Sequence, residues 1–191
     1  MIRTLEIDSS WSLFLDRDGV INRRIPDDYV KNPEDFEFLP GVEEAIAFLA
    51  EKFRYIVVVT NQQGIGRGLM TTSQLEAVHR KMMDDLQEVG GRIDKVYFSP
   101  DLKNSKSFTR KPAVGMGLRA RKELTGLRFR DSIMVGDTGS DMLFGKRLGM
   151  TTVLITQDIY EIRKCSELAD FSFPDLISFA RALFMRNGSG E

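Results

Sequence analysis

The chain has 191 residues, of which 42% are hydrophobic, and its formal net charge is −1. This length and apolar content predict one globular domain with a substantial core, and the balanced charge argues against a general nucleic-acid-binding protein. No apolar run approaches the ~18 residues of a membrane span, and acidic residues precede any long apolar run at the N-terminus, so we expect neither a membrane segment nor a secretory signal. The single cysteine, Cys165, suits a reducing cytoplasm.

Short β-type runs alternate with helical patterns along the chain. Strands are predicted at 12–15, 55–60, 95–98, 132–135 and 152–155. Helices are predicted at 42–52, 73–89, 114–123, 141–148 and 176–184. This alternation is typical of βαβ units, so we expect an α/β fold with a three-layer, doubly wound, Rossmann-like parallel sheet and minimal cap insertions. Residues 1–185 are expected to form the single domain, and 186–191 a flexible tail.

The first motif follows the strand predicted at 12–15, where Asp16 and Asp18 flank one arginine and are followed by Gly19. Residues two apart on a strand point the same way, so both carboxylates are expected to leave the strand end together. Open α/β sheets bind ligands at this edge, where one carboxylate could attack phosphorus and the other could move a proton. The alternative is a polar turn after a strand, since Asp and Gly favour turns.

The next stretch, residues 22–39, is too long for a plain strand-to-helix loop. It carries Pro26, Pro33 and many charged residues. Long irregular insertions beside a strand end are often functional, so this segment is predicted to form a small lid.

The second motif is Thr60-Asn61-Gln62, at the end of the second predicted strand. A hydroxyl and the backbone N–H groups that follow it can hold phosphate oxygens at such a place, although a simple turn after a core strand is the alternative. Three glycines then surround Arg67. No Lys-Ser/Thr pair follows them, so this is a flexible turn that carries one arginine toward an anion rather than a Walker loop.

The third motif is Arg110-Lys111, followed by Pro112 and a predicted helix. Two cations at a helix entrance can form an anion site with the free N–H groups of the first turn, although a solvated basic pair is the alternative. His79 is the only histidine and falls inside a predicted helix, where we expect an ordinary helix residue. The chemistry is therefore expected to depend on carboxylates.

The fourth motif is Asp137, which comes directly after the fourth predicted strand as Asp16 does after the first. Carboxylates from two strand ends suit Mg²⁺, a hard cation that takes few protein ligands and keeps several waters. Ser140 and Asp141 follow, and either of them could instead cap the next helix.

With these four motifs in this order, the chain resembles the haloacid dehalogenase (HAD) superfamily of phosphatases, subfamily III. Residues 16–22, 60–68 and 110–112, together with 29–30 and 34–41, resemble the D-glycero-D-manno-heptose 1,7-bisphosphate phosphatases. The histidinol-phosphate phosphatases share much of this pattern. The resemblance implies a HAD-like fold and a phosphatase that works through an aspartyl-phosphate intermediate.

The resemblance also assigns roles to single residues. It implies that Asp16 is the nucleophile and that Asp18 protonates the leaving alkoxide and then activates the hydrolytic water. Thr60 and Lys111 would hold the phosphoryl oxygens. The ligands of Mg²⁺ would be Asp16, Asp137 and the backbone carbonyl of Asp18. The substrate-binding residues would be Asn61, Gln62, Gln63, Arg67 and Arg110.

The chain departs from the resembled group at two places. Members usually carry a zinc loop of Cys-Pro-His and Cys-x-Cys before Arg-Lys-Pro, and here its ligand positions hold Ser99, Asp101, Ser107 and Thr109. Hydroxyls and one carboxylate do not make a tetrahedral zinc site, so no zinc is expected. Thr138 also stands where the group commonly has a lysine.

Together these features predict a cytoplasmic, Mg²⁺-dependent hydrolase of carbohydrate metabolism. Its expected partner is a small-molecule phosphate ester, heptose 1,7-bisphosphate first, with histidinol phosphate or another small metabolite as the alternative. A polynucleotide end phosphatase is disfavoured by the neutral charge and by the lack of an evident aromatic stacking platform. A catalytically silent phosphate-binding protein is the alternative from another class. We expect a monomer or small homo-oligomer without nucleic-acid or membrane partners.

Overall fold

The computed structural model describes residues 7–184 and contains one six-stranded sheet. Its neighbouring strands all pair in parallel, in the order β3-β2-β1-β4-β5-β6. The strands are Ser12–Leu15 (β1), Tyr55–Asn61 (β2), Lys95–Ser99 (β3), Ser132–Gly136 (β4), Thr151–Ile155 (β5) and Phe171–Phe173 (β6).

Helices connect these strands and cover both faces of the sheet. They are Val42–Lys52 (α1), Gln63–Gly66 (α2), Thr72–Glu88 (α3), Gly115–Glu123 (α4), Gly139–Leu148 (α5), Ile159–Lys164 (α6) and Leu176–Phe184 (α7). Two short 3₁₀ turns lie at Pro33–Asp35 and Phe129–Asp131.

Alternation along the buried strands creates two apolar layers. Leu13 and Leu15 of β1 belong to the cluster that includes residues of α1, α3 and α7. Phe14, between them, belongs to the opposite cluster, which includes residues of α4 and α5. Because successive side chains of a strand point to opposite faces, each strand feeds both layers. The expected three-layer, doubly wound α/β fold is confirmed.

The sheet order places a topological switch point between β1 and β4. The chain builds outward from β1 through β2 and β3, and then returns to pair β4 on the other side of β1. The backbone N–H of Asp16 donates to the carbonyl of Val135 at 2.9 Å, so the ends of the two strands are in register. Ligands of such sheets bind in the crevice outside the carboxyl ends of the strands at this point.

The predicted strands all form, with ends displaced by at most one residue, and helices α1 and α7 have the predicted bounds. The sequence analysis missed β6, α2 and α6, which have only three, four and six residues. Elements this short contain too few positions for a recognisable period. Helix α5 begins at Gly139 rather than Asp141, because Asp141 lies inside the first turn and accepts from the N–H of Thr138 at 3.1 Å.

The irregular segment 22–39 is fixed at its base and supplies a wall of the crevice. Arg23 N–H donates to the carbonyl of Glu37 at 2.8 Å, and Leu39 N–H donates to Ile21 at 3.0 Å. Val30 and Phe36 are buried in the core. The predicted flexible tail at 186–191 lies outside the described residues. Within residues 7–184, no helix is both long and apolar enough to cross a membrane.

Candidate active site

The centre of the crevice is a buried ion pair between Asp16 and Lys111. The Lys111 Nζ lies 2.9 Å from Asp16 Oδ1 and 2.6 Å from Asp141 Oδ1, and all three residues are buried. The N–H of Arg17 also donates to Asp16 Oδ1, at 2.7 Å. One ammonium therefore bridges a carboxylate after β1 and a carboxylate in the first turn of α5.

Asp137 completes a cluster of carboxylates with Asp16 and Asp141. One oxygen from each of the three lies within 4.8 Å of the others. Burial, followed by the charge of Asp16, raises the pKa of Asp137 to about 8, although Arg24 opposes the shift. Burial likewise raises the pKa of Asp16 to about 6, against the opposing charge of Lys111. Lys111 and Arg24 bring two positive charges to these three carboxylates, which leaves a net negative charge when all three are ionised.

These residues fit a magnesium ion. Their oxygens are the hard donors that Mg²⁺ prefers, and a divalent cation would offset the repulsion among them, which adds to burial in raising the two pKa values. The backbone carbonyl of Asp18 lies at the same corner, because Arg24 Nη2 is 3.2 Å from this oxygen and 2.9 Å from Asp137 Oδ2. Asp16, Asp137 and the Asp18 carbonyl are thus the groups that could hold the metal.

Gly19 allows Asp137 to reach this corner. Its φ is +92°, and a Cβ at this position would lie 2.0 Å from Asp137 Oδ2. A side chain there would both strain the backbone and displace the carboxylate. A glycine is therefore needed after the two aspartates, because any larger residue would clash with Asp137, which lies 118 positions later in the sequence.

Three nitrogen atoms, one from each of three residues, make four contacts with the carboxylate of Asp18. Arg17 Nη2 lies 2.9 and 3.0 Å from its two oxygens, Asn22 Nδ2 donates at 3.0 Å and Gln62 Nε2 at 2.7 Å, while the two Arg17 contacts share one nitrogen. Burial raises the pKa of Asp18, but Arg17 and these amides outweigh burial and lower it overall. The free protein therefore holds Asp18 ionised and in one orientation.

His79 lies behind this arrangement rather than in the crevice. Its Nε2 is 3.2 Å from Nη1 of the fully buried Arg17, and burial, followed by the Arg17 charge, lowers its pKa to about 3. A neutral imidazole can accept a hydrogen bond from the guanidinium. His79 thus supports Arg17, which in turn orients Asp18.

At the end of β2, Thr60 faces the cavity, whereas Asn61 and Gln62 form hydrogen bonds that hold other residues of the site. Thr60 is buried and lines the main cavity of the site, which has a volume of about 680 Å³. The Asn61 amide accepts from the Lys111 N–H at 2.9 Å and donates to the Lys111 carbonyl at 3.2 Å, so it holds the backbone of Lys111. Gln62 differs from the expectation, because its buried amide donates to Asp18 and to Thr60 Oγ1 at 2.9 Å instead of facing the cavity. Its contacts orient other site residues.

A cavity of about 680 Å³ opens above these groups. Its walls include Gln63, Arg67 and Arg110, the other residues predicted to contact substrate, together with Tyr29 from the segment 22–39. Several cations therefore face a space that contains the carboxylates of Asp16 and Asp18. The arrangement suits a polar ligand with more than one negative charge.

The loop before Arg110 contains a compact group of hydrogen bonds at the positions of the expected zinc ligands. Asp101 Oδ2 accepts from Thr109 Oγ1 at 2.7 Å, from Ser107 Oγ at 2.5 Å and from Ser99 Oγ at 3.2 Å. Arg110 is fixed by the same group, because its N–H donates to Ser107 Oγ at 2.8 Å and its Nη1 donates to the Asp101 carbonyl at 3.0 Å. This donor set does not fit zinc, which needs thiolate or imidazole ligands in such a loop.

The sequence analysis missed several residues that shape the site. Arg17, Asn22 and Arg24 contact Asp18 or Asp137, although their positions in the chain suggested only a strand end and a charged loop. The sequence allows Asp141 to cap the next helix without fixing its role, and the structure shows that its two oxygens contact Lys111 and the N-cap of α5. The sequence feature that could have indicated these contacts is the cluster of charged residues just after the first motif.

Comparisons with known proteins agree with this architecture. The HAD-hydrolase-like family model matches residues 108–178. A D-glycero-alpha-D-manno-heptose-1,7-bisphosphate 7-phosphatase of Mycobacterium bovis is 37% identical over 173 residues, which are 91% of each chain. A D-glycero-beta-D-manno-heptose-1,7-bisphosphate 7-phosphatase of Rhodopseudomonas palustris is 37% identical over 72% of this chain and 78% of the relative.

A solved structure is similar over nearly the same length. The D,D-heptose 1,7-bisphosphate phosphatase of B. bronchiseptica, in complex with magnesium and phosphate, has a TM-score of 0.82 and 30% sequence identity. The match covers 92% of this chain and 99% of the other.

Proposed function

We propose a specific reaction for this chain, which belongs to the HAD family of D-glycero-D-manno-heptose-1,7-bisphosphate 7-phosphatases. The protein is a phosphoric monoester hydrolase, and its proposed substrate is the heptose 1,7-bisphosphate, which loses the 7-phosphate in a Mg²⁺-dependent reaction. The proposed site of action is the cytoplasm.

The observation that supports this proposal best is the geometry around Asp16. Its carboxylate lies at the end of a central strand, paired with Lys111 at 2.9 Å and beside the proposed metal ligand Asp137. An anionic nucleophile can approach an anionic phosphate only where cations offset their repulsion. Bound Mg²⁺ would supply positive charge against the phosphoryl oxygens and against Asp16.

In the first proposed step, Asp16 attacks phosphorus. The contacts of Lys111 and the Arg17 N–H both involve Oδ1, so we assign the attack to Oδ2. The new Oδ2–P bond forms as the bond between phosphorus and the ester oxygen breaks. Thr60 and Lys111 hold phosphoryl oxygens, and the leaving alkoxide takes a proton from Asp18.

The proton on Asp18 must arrive with the substrate. The free protein favours the charged form of Asp18, because the Arg17 guanidinium and two amides lower its pKa. A phosphate monoester has a second pKa of about 6, so near neutral pH a fraction of it enters as the protonated monoanion. We propose that this proton passes through Asp18 to the leaving oxygen.

In the second proposed step, water hydrolyses the aspartyl-phosphate. The ionised Asp18 accepts a proton from the water, whose oxygen bonds to phosphorus while the Oδ2–P bond breaks. Phosphate is released, and Asp16 regains its carboxylate. Asp18 then gives this proton to the departing phosphate or to solvent, because the hydrogen bonds to its carboxylate favour the charged form.

The experiment is a phosphate-release assay with the purified full chain and Mg²⁺. The α and β anomers of heptose 1,7-bisphosphate are compared with histidinol phosphate and with p-nitrophenyl phosphate. We expect a higher kcat/KM for a heptose 1,7-bisphosphate than for the two other esters, with loss of one phosphate per molecule at the 7-position. A higher kcat/KM for histidinol phosphate would contradict the substrate assignment, and no Mg²⁺-dependent release from any ester would contradict the phosphatase.

A further inference from the structure

Arg24 occupies the oxygens that the metal ion would use. Its Nη2 lies 2.9 Å from Asp137 Oδ2, 3.1 Å from Asp137 Oδ1 and 3.2 Å from the carbonyl oxygen of Asp18. Asp137 and the Asp18 carbonyl are two of the three groups assigned to Mg²⁺ above. A guanidinium and a divalent cation therefore have the same binding partners.

We propose that Arg24 is a tethered competitor of the divalent cation and thereby sets the affinity of the metal site. This inference rests on the proposed function, because it assumes that the carboxylate corner binds a metal. An arginine stays charged at any accessible pH, so the guanidinium repels an incoming cation until it leaves Asp137. Each metal-binding event must then break the contacts of Arg24 with Asp137 and Asp18.

The surroundings of Arg24 allow this exchange. Its side chain is 53% exposed, whereas the side chain of Asp137 is 16% exposed. An ion pair with one exposed partner contributes little to stability, so little free energy is needed to break it. Arg24 lines both the main cavity and a neighbouring cavity of about 640 Å³, which Asp137 also lines. The displaced guanidinium has room to move while the base of its segment stays fixed.

The chain itself offers a matched control. Arg23 precedes Arg24 in the same segment and carries the same charge, and its side chain is 63% exposed. Its Nη2 pairs with Glu37 Oε1 at 3.1 Å. Substitution of either arginine removes one positive charge from the segment, but only Arg24 contacts the proposed metal ligands.

The test is a binding titration of the full-length protein with Mn²⁺, whose free concentration is followed by electron paramagnetic resonance. The proteins compared are wild type, Arg24→Gln, Arg23→Gln and Asp137→Asn. We expect Arg24→Gln to lower the Kd for Mn²⁺ by about three- to tenfold, the range set by removal of a half-exposed ion pair. Arg23→Gln should stay within about twofold of wild type.

The outcomes separate this inference from the proposed function. If wild type does not bind Mn²⁺, or if Asp137→Asn binds as tightly as wild type, the proposed metal site itself is wrong. If wild type binds and Asp137→Asn does not, the metal site stands. In that case an unchanged or raised Kd in Arg24→Gln, or an equal gain in Arg23→Gln, would overturn the competition.

A melting experiment gives a second readout that does not depend on turnover. Saturating Mn²⁺ should raise the Tm of Arg24→Gln more than that of wild type, because the variant loses no guanidinium contact when the ion binds. Equal shifts in the two proteins would count against the competition.

Discussion

Single side chains at the edge of the sheet have two kinds of task. Asp16, Asp18 and Lys111 are placed to act on a phosphate ester, whereas Arg17 and Asn61 hold them in position. This division predicts different consequences for substitutions that lie only a few ångströms apart.

Replacement of Asp16 by asparagine should abolish turnover. The amide oxygen is a poor nucleophile, so no aspartyl-phosphate can form at a useful rate, whereas the other groups of the cavity remain. We therefore expect kcat to fall below detection while inorganic phosphate still binds in a calorimetric titration. Asp84→Asn, an exposed substitution on α3, is the control and should keep normal activity. A variant at position 16 that retained most of its activity would show that another residue attacks phosphorus.

Replacement of Lys111 by methionine should lower kcat by about 10²-fold or more, because the site loses a preorganised cation. Lys111 also neutralises the buried Asp141 through the 2.6 Å contact, so the single variant leaves an unpaired charge. The double variant Lys111→Met with Asp141→Asn restores the charge balance and should melt at a higher temperature than Lys111→Met alone. Lys122→Met, on the exposed side of α4, is the matched control. Unchanged kcat in the folded double variant would remove Lys111 from the reaction.

At the scale of elements, each strand end and the loop that follows it form one part of the site. β1 supplies Asp16, β4 supplies Asp137, and the loop between β3 and α4 supplies Lys111. In that loop, Asp101 accepts hydrogen bonds from three hydroxyl groups and fixes the residues beside Arg110. The loop is thus held by a carboxylate at its centre.

Replacement of Asp101 by asparagine should loosen this loop. An asparagine can place its amide oxygen at the position of Oδ2 but carries no negative charge, so the hydrogen bonds from the three hydroxyls weaken and Arg110 becomes less ordered. We expect KM to rise several-fold with kcat nearly unchanged, because Arg110 is expected to bind the substrate equally in the ground and transition states. Asn104→Ala, an exposed change in the same loop, should leave KM unaltered. Metal analysis that found stoichiometric zinc in wild type would contradict the hydrogen-bonded arrangement.

At the scale of the whole molecule, the site is a consequence of the order of the strands. Adjacent parallel strands β1 and β4 come from positions more than 110 residues apart, and their ends bring two carboxylates to one corner. Three acidic groups within 4.8 Å repel one another, and a bound divalent cation would offset the repulsion that Lys111 and Arg24 leave. Folding stability and metal binding are therefore linked.

Removal of the metal should affect both stability and activity. At a Mg²⁺ concentration about tenfold above its Kd, binding contributes about 1.4 kcal/mol, which for a chain of this size raises the Tm by roughly 3–6 °C. A chelator such as EDTA should abolish this shift and the activity, and added Mg²⁺ should restore both. A zinc-selective chelator should change neither. Asp137→Asn should show little Tm response to Mg²⁺, and a full response in this variant would place the ion elsewhere.

The sequence by itself determined the local features of this protein. The apolar runs and their period predicted five of the six strands, and the acids at 16, 18 and 137 were placed at strand ends because strand patterns stop just before them. Thr60 stands at a strand end in the same way, whereas Lys111 is indicated by its place at the entrance of the helix that follows the third strand. These features depend on neighbouring residues, so a local pattern contains enough information to predict them.

Only the tertiary structure decided how these segments meet. It brought Gly19 against Asp137, placed Arg24 on the proposed metal ligands, turned Gln62 toward Asp18 and gave Asp141 a second partner in Lys111. Such contacts join residues that are far apart in the chain, and their geometry depends on strand order and on the directions of side chains at the switch point. No local period encodes those quantities, because they are fixed only when the sheet and its two helical layers pack together.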